Sequence, residues 1–273
     1  MTRFISPLTW PGGKSKKYKI IKSFFPKNSN DYEYIEPFFG GGSIGLNSLR
    51  DDLFKKYVFT DINEKLMDFW FKYLFEYKWN EINKNWFYPN VPNLESVKVI
   101  ENDLPDYLKF ILNNNLAYNG LPNAQRSTLR LKQNWNLAKA DRIIECGELL
   151  DTNLSKIMVC PCPFEDTLSQ FIIFPPQKKL FYLDPPYYEN NKHIYENNFN
   201  HNDWIRFNKF INRINNTGQL FILSINDCSE TRKMFKDFNI HEYEWFYSSS
   251  NSKRKTCKVG KELIITNFLK EEI

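Results

Sequence analysis

Histidine, cysteine and glycine are scarce in this chain of 273 residues, numbering 3, 5 and 10. The five cysteines, Cys146, Cys160, Cys162, Cys228 and Cys257, are odd in number and irregular in spacing, which argues against a disulfide framework and for reduced thiols. Only Cys160 and Cys162 lie close together, and none of His193, His201 and His241 stands at ligand spacing from them, so no metal site is expected. No apolar run approaches the ~20 residues of a membrane span. Met1 to Trp10 lack the charged-then-apolar order of a secretory signal, and the expected location is the cytoplasm, with no membrane partner. A strong surplus of one charge is missing too. Lys+Arg number 37 against 32 Asp+Glu, a net +5, which permits a polyanionic partner without demanding one.

What remains is ordinary globular composition, 42% hydrophobic and 25% charged. At about 150 residues per domain the length suits one to two domains. The 24 Phe and 15 Tyr, with abundant Asn, fit AT-rich coding and say little about function. Short apolar runs recur between longer amphipathic stretches. Seven strands are expected: Tyr32–Glu36, Tyr57–Asp61, Lys156–Cys160, Leu180–Leu183, Gln219–Ile225, Ile240–Tyr247 and Glu262–Phe268. Several are apolar throughout, as strands buried on both faces are. Helical patterns such as Ser43–Asp52 and Asp203–Asn215 alternate with them, which predicts an α/β fold around an open, mostly parallel, doubly wound sheet. The stretch from Leu66 to Gly147 breaks the alternation. It is too long for a loop and reads as a mainly helical inserted domain, with a turn near Asn119-Gly120.

Three motifs carry chemistry. In Tyr34-Ile35-Glu36-Pro37-Phe38-Phe39-Gly40-Gly41-Gly42-Ser43 a strand meets a glycine-rich turn and then a helix, which lets a ligand approach the backbone. Asp61 ends the next strand, at the distance where nucleotide-binding α/β folds place an acid on ribose hydroxyls. An adenosyl ligand without pyrophosphate suits this pattern as well as a dinucleotide does. In Asp184-Pro185-Pro186-Tyr187 two prolines stiffen a corner at a strand's C-terminal end. Asp184 and the Pro185 carbonyl can accept both N–H groups of an exocyclic amine while Tyr187 stacks on the base, an arrangement suited to a flipped adenine. The third motif, Leu8-Thr9-Trp10-Pro11-Gly12-Gly13-Lys14-Ser15, has the Gly-Lys-Ser of a P-loop. That NTPase pattern, though, needs a glycine where Leu8 stands and an apolar strand before it.

In this order the three motifs resemble the Dam-like (D12 class, alpha group) DNA adenine-N6 methyltransferases nearly end to end. The resemblance implies a Rossmann-like class I methyltransferase fold with a seven-stranded, mostly parallel sheet. Residues 1–65 and 148–273 would form the catalytic domain and residues 66–147 an inserted, mainly helical target-recognition domain. It implies S-adenosyl-L-methionine as cofactor, contacted by Trp10, Lys14, Glu36, Phe38, Gly40, Gly42, Asp61, Ile62, Phe164, Asp166 and Asp184. Asp184, Pro185, Pro186 and Tyr187 would be the catalytic corner. Double-stranded DNA would be the partner, met by Tyr118, Asn119, Asn123, Arg126 and Arg130 in the insertion and by Ser249, Lys253 and Arg254 near the end. A cognate restriction endonuclease is a further expected partner. Better-known members carry an arginine that reads a guanine soon after Tyr-Asn-Gly-Leu. This chain has Pro122-Asn123 there, which points to a site other than GATC or to a relaxed outer base pair.

Other readings stay open on the residues. Cytosine-N4 and RNA adenine-N6 methylation use a similar corner. The lysines from Lys14 to Lys22, and the group Arg126, Arg130, Lys132, Lys139 and Arg142, fit solvated helix faces as well as phosphate contacts.

Overall fold

The structure, a computed structural model, describes residues 5–76, 78, 81–117, 120, 125–170, 177–188, 199–246 and 259–270. Seven strands form one sheet: β1 (Glu33–Glu36), β2 (Lys56–Asp61), β3 (Ile157–Pro161), β4 (Lys179–Leu183), β5 (Leu220–Asn226), β6 (Asn239–Phe246) and β7 (Val259–Thr266). Their order is β3-β2-β1-β4-β5-β7-β6. The first five run parallel, and β7 lies antiparallel between β5 and β6. The expected strands are all present, with the largest shift at β7, which starts at Val259 rather than Glu262. The sheet is the mostly parallel, seven-stranded Rossmann-like arrangement that the alternation predicts, with its order reversing between β1 and β4.

Ten α-helices accompany it among the described residues: α1 (Tyr18–Lys22), α2 (Gly45–Arg50), α3 (Glu64–Phe75), α4 (Leu94–Glu101), α5 (Asp106–Leu116), α6 (Thr128–Asn134), α7 (Leu137–Thr152), α8 (Phe164–Gln170), α9 (His201–Asn216) and α10 (Ser229–Met234). None is long and apolar enough to cross a membrane. Much of the asparagine has a local use. The side chains of Asn63, Asn93, Asn136 and Asn200 accept from backbone amides at the starts of α3, α4, α7 and α9. Asparagine suits this position because its oxygen reaches an amide that the helix leaves unpaired.

The pleat divides the core in two. Tyr34, Tyr57, Phe59, Leu180, Tyr182 and Ile264 face a cluster shared with α1, α2 and α3. Ile35, Val58, Phe181, Leu223 and Ile265 face the other side, against α9 residues such as Trp204, Phe207 and Ile211. The segment α3–α7 stands between β2 and β3. Helix α3 packs on both strands, and α5 and α7 pack on α3. The apolar interior of the insertion (Ile111, Leu112, Trp135, Ile143) is continuous with the first of these clusters. Trp135 stacks on Phe87 at 4.4 Å and donates its indole N–H to the Trp86 carbonyl at 2.7 Å.

At the edge far from the C-terminal strand ends, Glu33 of β1 lies directly opposite Lys179 of β4, and the two side chains form a buried ion pair. Removing one partner of such a pair strands the other charge without water. Lys179→Met should therefore lower unfolding free energy by about 3–5 kcal/mol, while Lys179→Met combined with Glu33→Leu should recover most of the loss. Urea midpoints measure both. Equal losses in the single and double variants would contradict this account of the pair.

Candidate active site

The turn after β1 is shaped by its glycines and by the side chains that lie on them. Gly40 and Gly42 have positive φ, at 50° and 70°, a region costly for residues with a Cβ. A Cβ at Gly40 would sit 2.7 Å from the indole nitrogen of Trp10, and one at Gly41 would sit 2.6 Å from the Trp10 Cβ. The Phe39 amide donates to the Thr60 carbonyl at 3.0 Å, and the Trp70 indole N–H donates to the Gly40 carbonyl at 2.9 Å. The turn is thus bound to β2 on one side and to α3 on the other.

Asp61 ends β2 beside this turn. Its carboxylate accepts from the Gly40 and Asn63 amides, both at 3.0 Å. Burial raises its pKa to about 6, against the opposing pull of those amides. Asn63 then caps α3 by accepting from the Leu66 amide at 3.1 Å. The short run Asp61-Ile62-Asn63 therefore fixes a carboxylate and starts a helix together. Between them Ile62 is 52% exposed, an apolar side chain presented beside the acid. Glu36, at the end of β1, is buried and accepts from the Tyr34 hydroxyl at 3.0 Å. Burial pushes its pKa up.

β4 delivers Asp184 to the same edge. Lys14 is buried and donates to Asp184 at 2.7 Å and to the Gly12 carbonyl at 3.2 Å. Its ammonium lies 5.0 Å from the centre of the Tyr187 ring. Burial raises the Asp184 pKa, and Lys14 pulls it back down. The corner is tied to β5 as well, because the Tyr188 amide donates to Asn226 at 2.9 Å. The Tyr187 hydroxyl donates to Glu262 of β7, and Lys17 reaches the same Glu262 oxygen at 2.5 Å.

The site thus assembles Trp10, Lys14, Glu36, Gly40, Gly42, Asp61, Asp184 and Tyr187 along one sheet edge. Phe38 and Phe164 also meet, stacked at 5.5 Å, and Phe164 is buried among Phe199, Phe207 and Phe210. Asp166 is exposed in the first turn of α8, which follows β3. The link from β3 into that helix runs beside Asp61, whose carbonyl accepts from the Cys162 amide at 3.1 Å. In the insertion Arg126 makes a two-pronged ion pair with Glu101, at 3.0 and 2.6 Å, and Arg130 lies half-buried in α6. Tyr118, Asn119, Asn123, Ser249, Lys253 and Arg254 lie outside the described residues.

Three of the lysines depart from the solvated face that spacing allows, while Lys16, Lys19 and Lys132 are exposed as it predicts. Lys14 is buried, Lys17 is half-buried against Glu262, and Lys139 is buried and donates to the Pro7 carbonyl at 3.0 Å. Glu262, Lys17 and Asn226 are additions to the set expected from sequence. The one signal for Glu262 is a lone acid opening the apolar run Leu263-Ile264-Ile265. Four carboxylates, Glu36, Asp61, Asp184 and Glu262, consequently share this edge with two lysines. Among the described residues no cluster of three metal-ligating side chains is placed to hold an ion.

The Type II methyltransferase M.MjaIII of Methanocaldococcus jannaschii is 26% identical over 294 residues, spanning 96% of this chain and 98% of that protein. Looser likenesses in solved structures include a precorrin 8w decarboxylase from Methanobacterium thermoautotrophicum. It has a TM-score of 0.43 and 7% identity over 96% of this chain and 94% of that one. The rRNA methyltransferase aviRa from Streptomyces viridochromogenes has a TM-score of 0.42 and 9% identity over 93% and 83%. The family model of the D12 class N6 adenine-specific DNA methyltransferases matches residues 10–249, and the chain belongs to that family.

Proposed function

We propose that the chain is a site-specific, adenine-specific DNA methyltransferase that uses S-adenosyl-L-methionine and acts on N6 of an adenine turned out of duplex DNA. The observation that carries this reading is the buried Lys14–Asp184 pair at the end of β4, on the same edge as the Gly40 turn and Asp61. The residues fit the cofactor. The glycines at 40 and 41 let the Trp10 side chain lie directly on the turn, Ile62 offers an apolar face to a base, and Asp61 can accept from ribose hydroxyls. Trp10, Phe38, Gly42, Phe164 and Asp166 complete the set assigned to the cofactor.

S-adenosylmethionine supplies, when bound, a methyl group already activated by its sulfonium. The chain's task is to aim the acceptor. The adenine N6 lone pair is delocalised into the ring and attacks poorly. Asp184 and the Pro185 carbonyl accept its two N–H groups, which favours a pyramidal nitrogen with its lone pair free. Tyr187 stacks on the base, and Pro186 stiffens the corner. Lys14 opposes the rise that burial imposes on the Asp184 pKa and so favours the acceptor form. As N6 gains its bond to the methyl carbon, the carbon–sulfur bonding pair stays with sulfur, and one N6 proton leaves for solvent.

We assign residues 1–65 and 148–273 to catalysis and 66–147 to target recognition, with Tyr118, Asn119, Asn123, Arg126, Arg130, Ser249, Lys253 and Arg254 on the DNA. The relative from M. jannaschii bears a Type II name, and on that footing a cognate restriction endonuclease is the functional partner.

Three measurements test this. Asp184→Ala should slow methylation by about 10²–10³, or ~3–4 kcal/mol of transition-state stabilisation, with the fold intact. Near-wild-type turnover would refute the role. For Asp61 the sign follows from its raised pKa. Below about pH 6 the free enzyme holds it protonated, so it accepts less well from a ribose hydroxyl. Cofactor affinity should fall as pH drops through 6, by up to about tenfold per unit, whereas the fold itself should gain stability over the same range. Asp61→Asn should bind the cofactor about tenfold more weakly above pH 7, as loss of a charge-assisted hydrogen bond requires, and show little pH dependence. Calorimetry that finds the same pH profile in both proteins would exclude Asp61. Finally, sequencing modified DNA should place N6-methyladenine in a short duplex site that is not strict GATC. Strict GATC would show that Pro122-Asn123 carries no meaning, and methyl groups on cytosine N4 would overturn the adenine assignment.

A further inference from the structure

Glu262 is buried in β7, far in sequence from every catalytic motif, and yet it touches the catalytic corner. One of its oxygens accepts from both the Tyr187 hydroxyl and Lys17, while the other makes no hydrogen bond in the buried interior. A buried carboxylate with one unsatisfied oxygen is expensive to keep, and a glutamine or an apolar residue would pack here at lower cost. Lys17 offsets part of that cost, since its ammonium lies 2.5 Å away. The strand pairing explains how the acid gets there. Glu262 lies opposite Asn226, and Asn226 holds the backbone of Tyr188 through two hydrogen bonds. β5 and β7 together grip Tyr187-Tyr188 from below, one through backbone and the other through the phenol.

We infer that Glu262, held by Lys17, is a positioning residue that sets the plane and the electron density of the Tyr187 ring against the extruded base. The inference rests on the reading of Tyr187 as the stacking residue. Two effects follow from one hydrogen bond. A phenol can swing about its χ angles, and donation to a fixed carboxylate on β7 leaves the ring one orientation. A phenol that donates to an anion also has a more electron-rich ring. Methyl transfer builds positive charge on adenine N6 and its ring, and an electron-rich aromatic face stabilises a cation stacked on it. The Lys14 ammonium, 5.0 Å from the centre of the same ring, is a cation on that aromatic face. The corner therefore has two carboxylates with separate tasks. Asp184 meets the amine, and Glu262 acts only through Tyr187.

A mutant cycle on the full-length enzyme separates this role from mere support of the fold. Glu262→Gln keeps an oxygen that can accept from Tyr187 but loses the charge, Glu262→Ala loses both, and Tyr187→Phe removes the donor. Turnover with duplex DNA should fall about tenfold in Tyr187→Phe and at least as far in Glu262→Ala, with a smaller fall in Glu262→Gln. Cofactor affinity should stay within about twofold throughout. In the Tyr187→Phe background, Glu262→Gln should cost nothing further, because the bond it weakens is already gone. A duplex with 2-aminopurine at the target position reports base extrusion and stacking without chemistry. Its fluorescence on binding should differ between wild type and Glu262→Gln. Wild-type turnover and fluorescence in Glu262→Gln, or additive losses in the double variant, would overturn the inference alone. A wild-type protein that neither extrudes the probe nor methylates adenine would overturn it together with the reading of Tyr187.

Discussion

Carboxylates brought to one edge of a sheet and deprived of water set the terms for the rest of this molecule. Glu36 and Asp61 end β1 and β2, Asp184 follows β4, and Glu262 lies within β7 opposite the end of β5, all at the same edge, and burial raises the pKa of the first three. A buried carboxylate survives in its charged form only where hydrogen bonds or opposite charges replace the lost water. Each acid has its own solution. Asp61 takes two backbone amides, Glu36 the Tyr34 phenol, Asp184 the Lys14 ammonium, and Glu262 Lys17 together with Tyr187. These partners come from the N-terminal segment, the glycine turn and the start of α3. The demand to satisfy the acids therefore organises most of what surrounds the site.

Lys14 is delivered by a segment that the sheet does not hold. The insertion holds it. Asn114 of α5 accepts from the Thr9 amide at 2.7 Å and donates to the Thr9 carbonyl at 3.0 Å. Asn115 donates to the Pro7 carbonyl at 3.1 Å, and Lys139 of α7 donates to the same oxygen. Burial and the neighbouring Arg142 lower the pKa of Lys139 to about 7, so this anchor is held as a donor at little cost in charge. A Cβ on Gly120 would fall 1.9 Å from the Thr9 carbonyl, which requires glycine where the insertion closes over the segment. Four residues separate Thr9 from Lys14, the lysine that pairs with Asp184. The helical insertion is thus part of the scaffold that places Lys14 on Asp184, whatever else it contacts.

The strands were legible because burial on both faces leaves uninterrupted apolar runs, and LFYL and LFILSI show no polar alternation to confuse with a helix. The order of the last two was not. Nothing local in Val259–Thr266 distinguishes an edge strand from one that slips antiparallel between β5 and β6, because register is fixed by contacts distant in sequence. The site divides the same way. Asp61, Asp184 and the glycine turn sit in short motifs whose residues act on one another locally, so spacing reveals them. Glu262 acts across 75 residues on Tyr187 and leaves only an acid at the head of an apolar run. Lys17 was in view but looked like its neighbours Lys16 and Lys19, which are exposed. Side-chain burial, which decides between a solvated lysine and an ion pair, belongs to the tertiary structure.

The charge pattern also bears on the choice of base. A histidine base near the target amine would need a pKa close to neutrality, and an edge lined by acids would hold it protonated and useless as a base. Methyl transfer does not need one. N6 attacks as a neutral amine, and only after the new bond forms does it carry a proton acidic enough to leave unaided. The demanding part is the positive charge that appears on the base while the methyl group moves. A neutral pocket would resist that charge, and a fully anionic one would repel the polyanionic substrate that must enter. Four carboxylates tempered by Lys14 and Lys17 sit between these limits. Asp184 and Glu262 are each paired with a lysine, which offsets part of the negative charge at this edge. Electrostatic preorganisation of this kind does its work before the substrate arrives, because the acids are fixed by strands and amides rather than by the ligand.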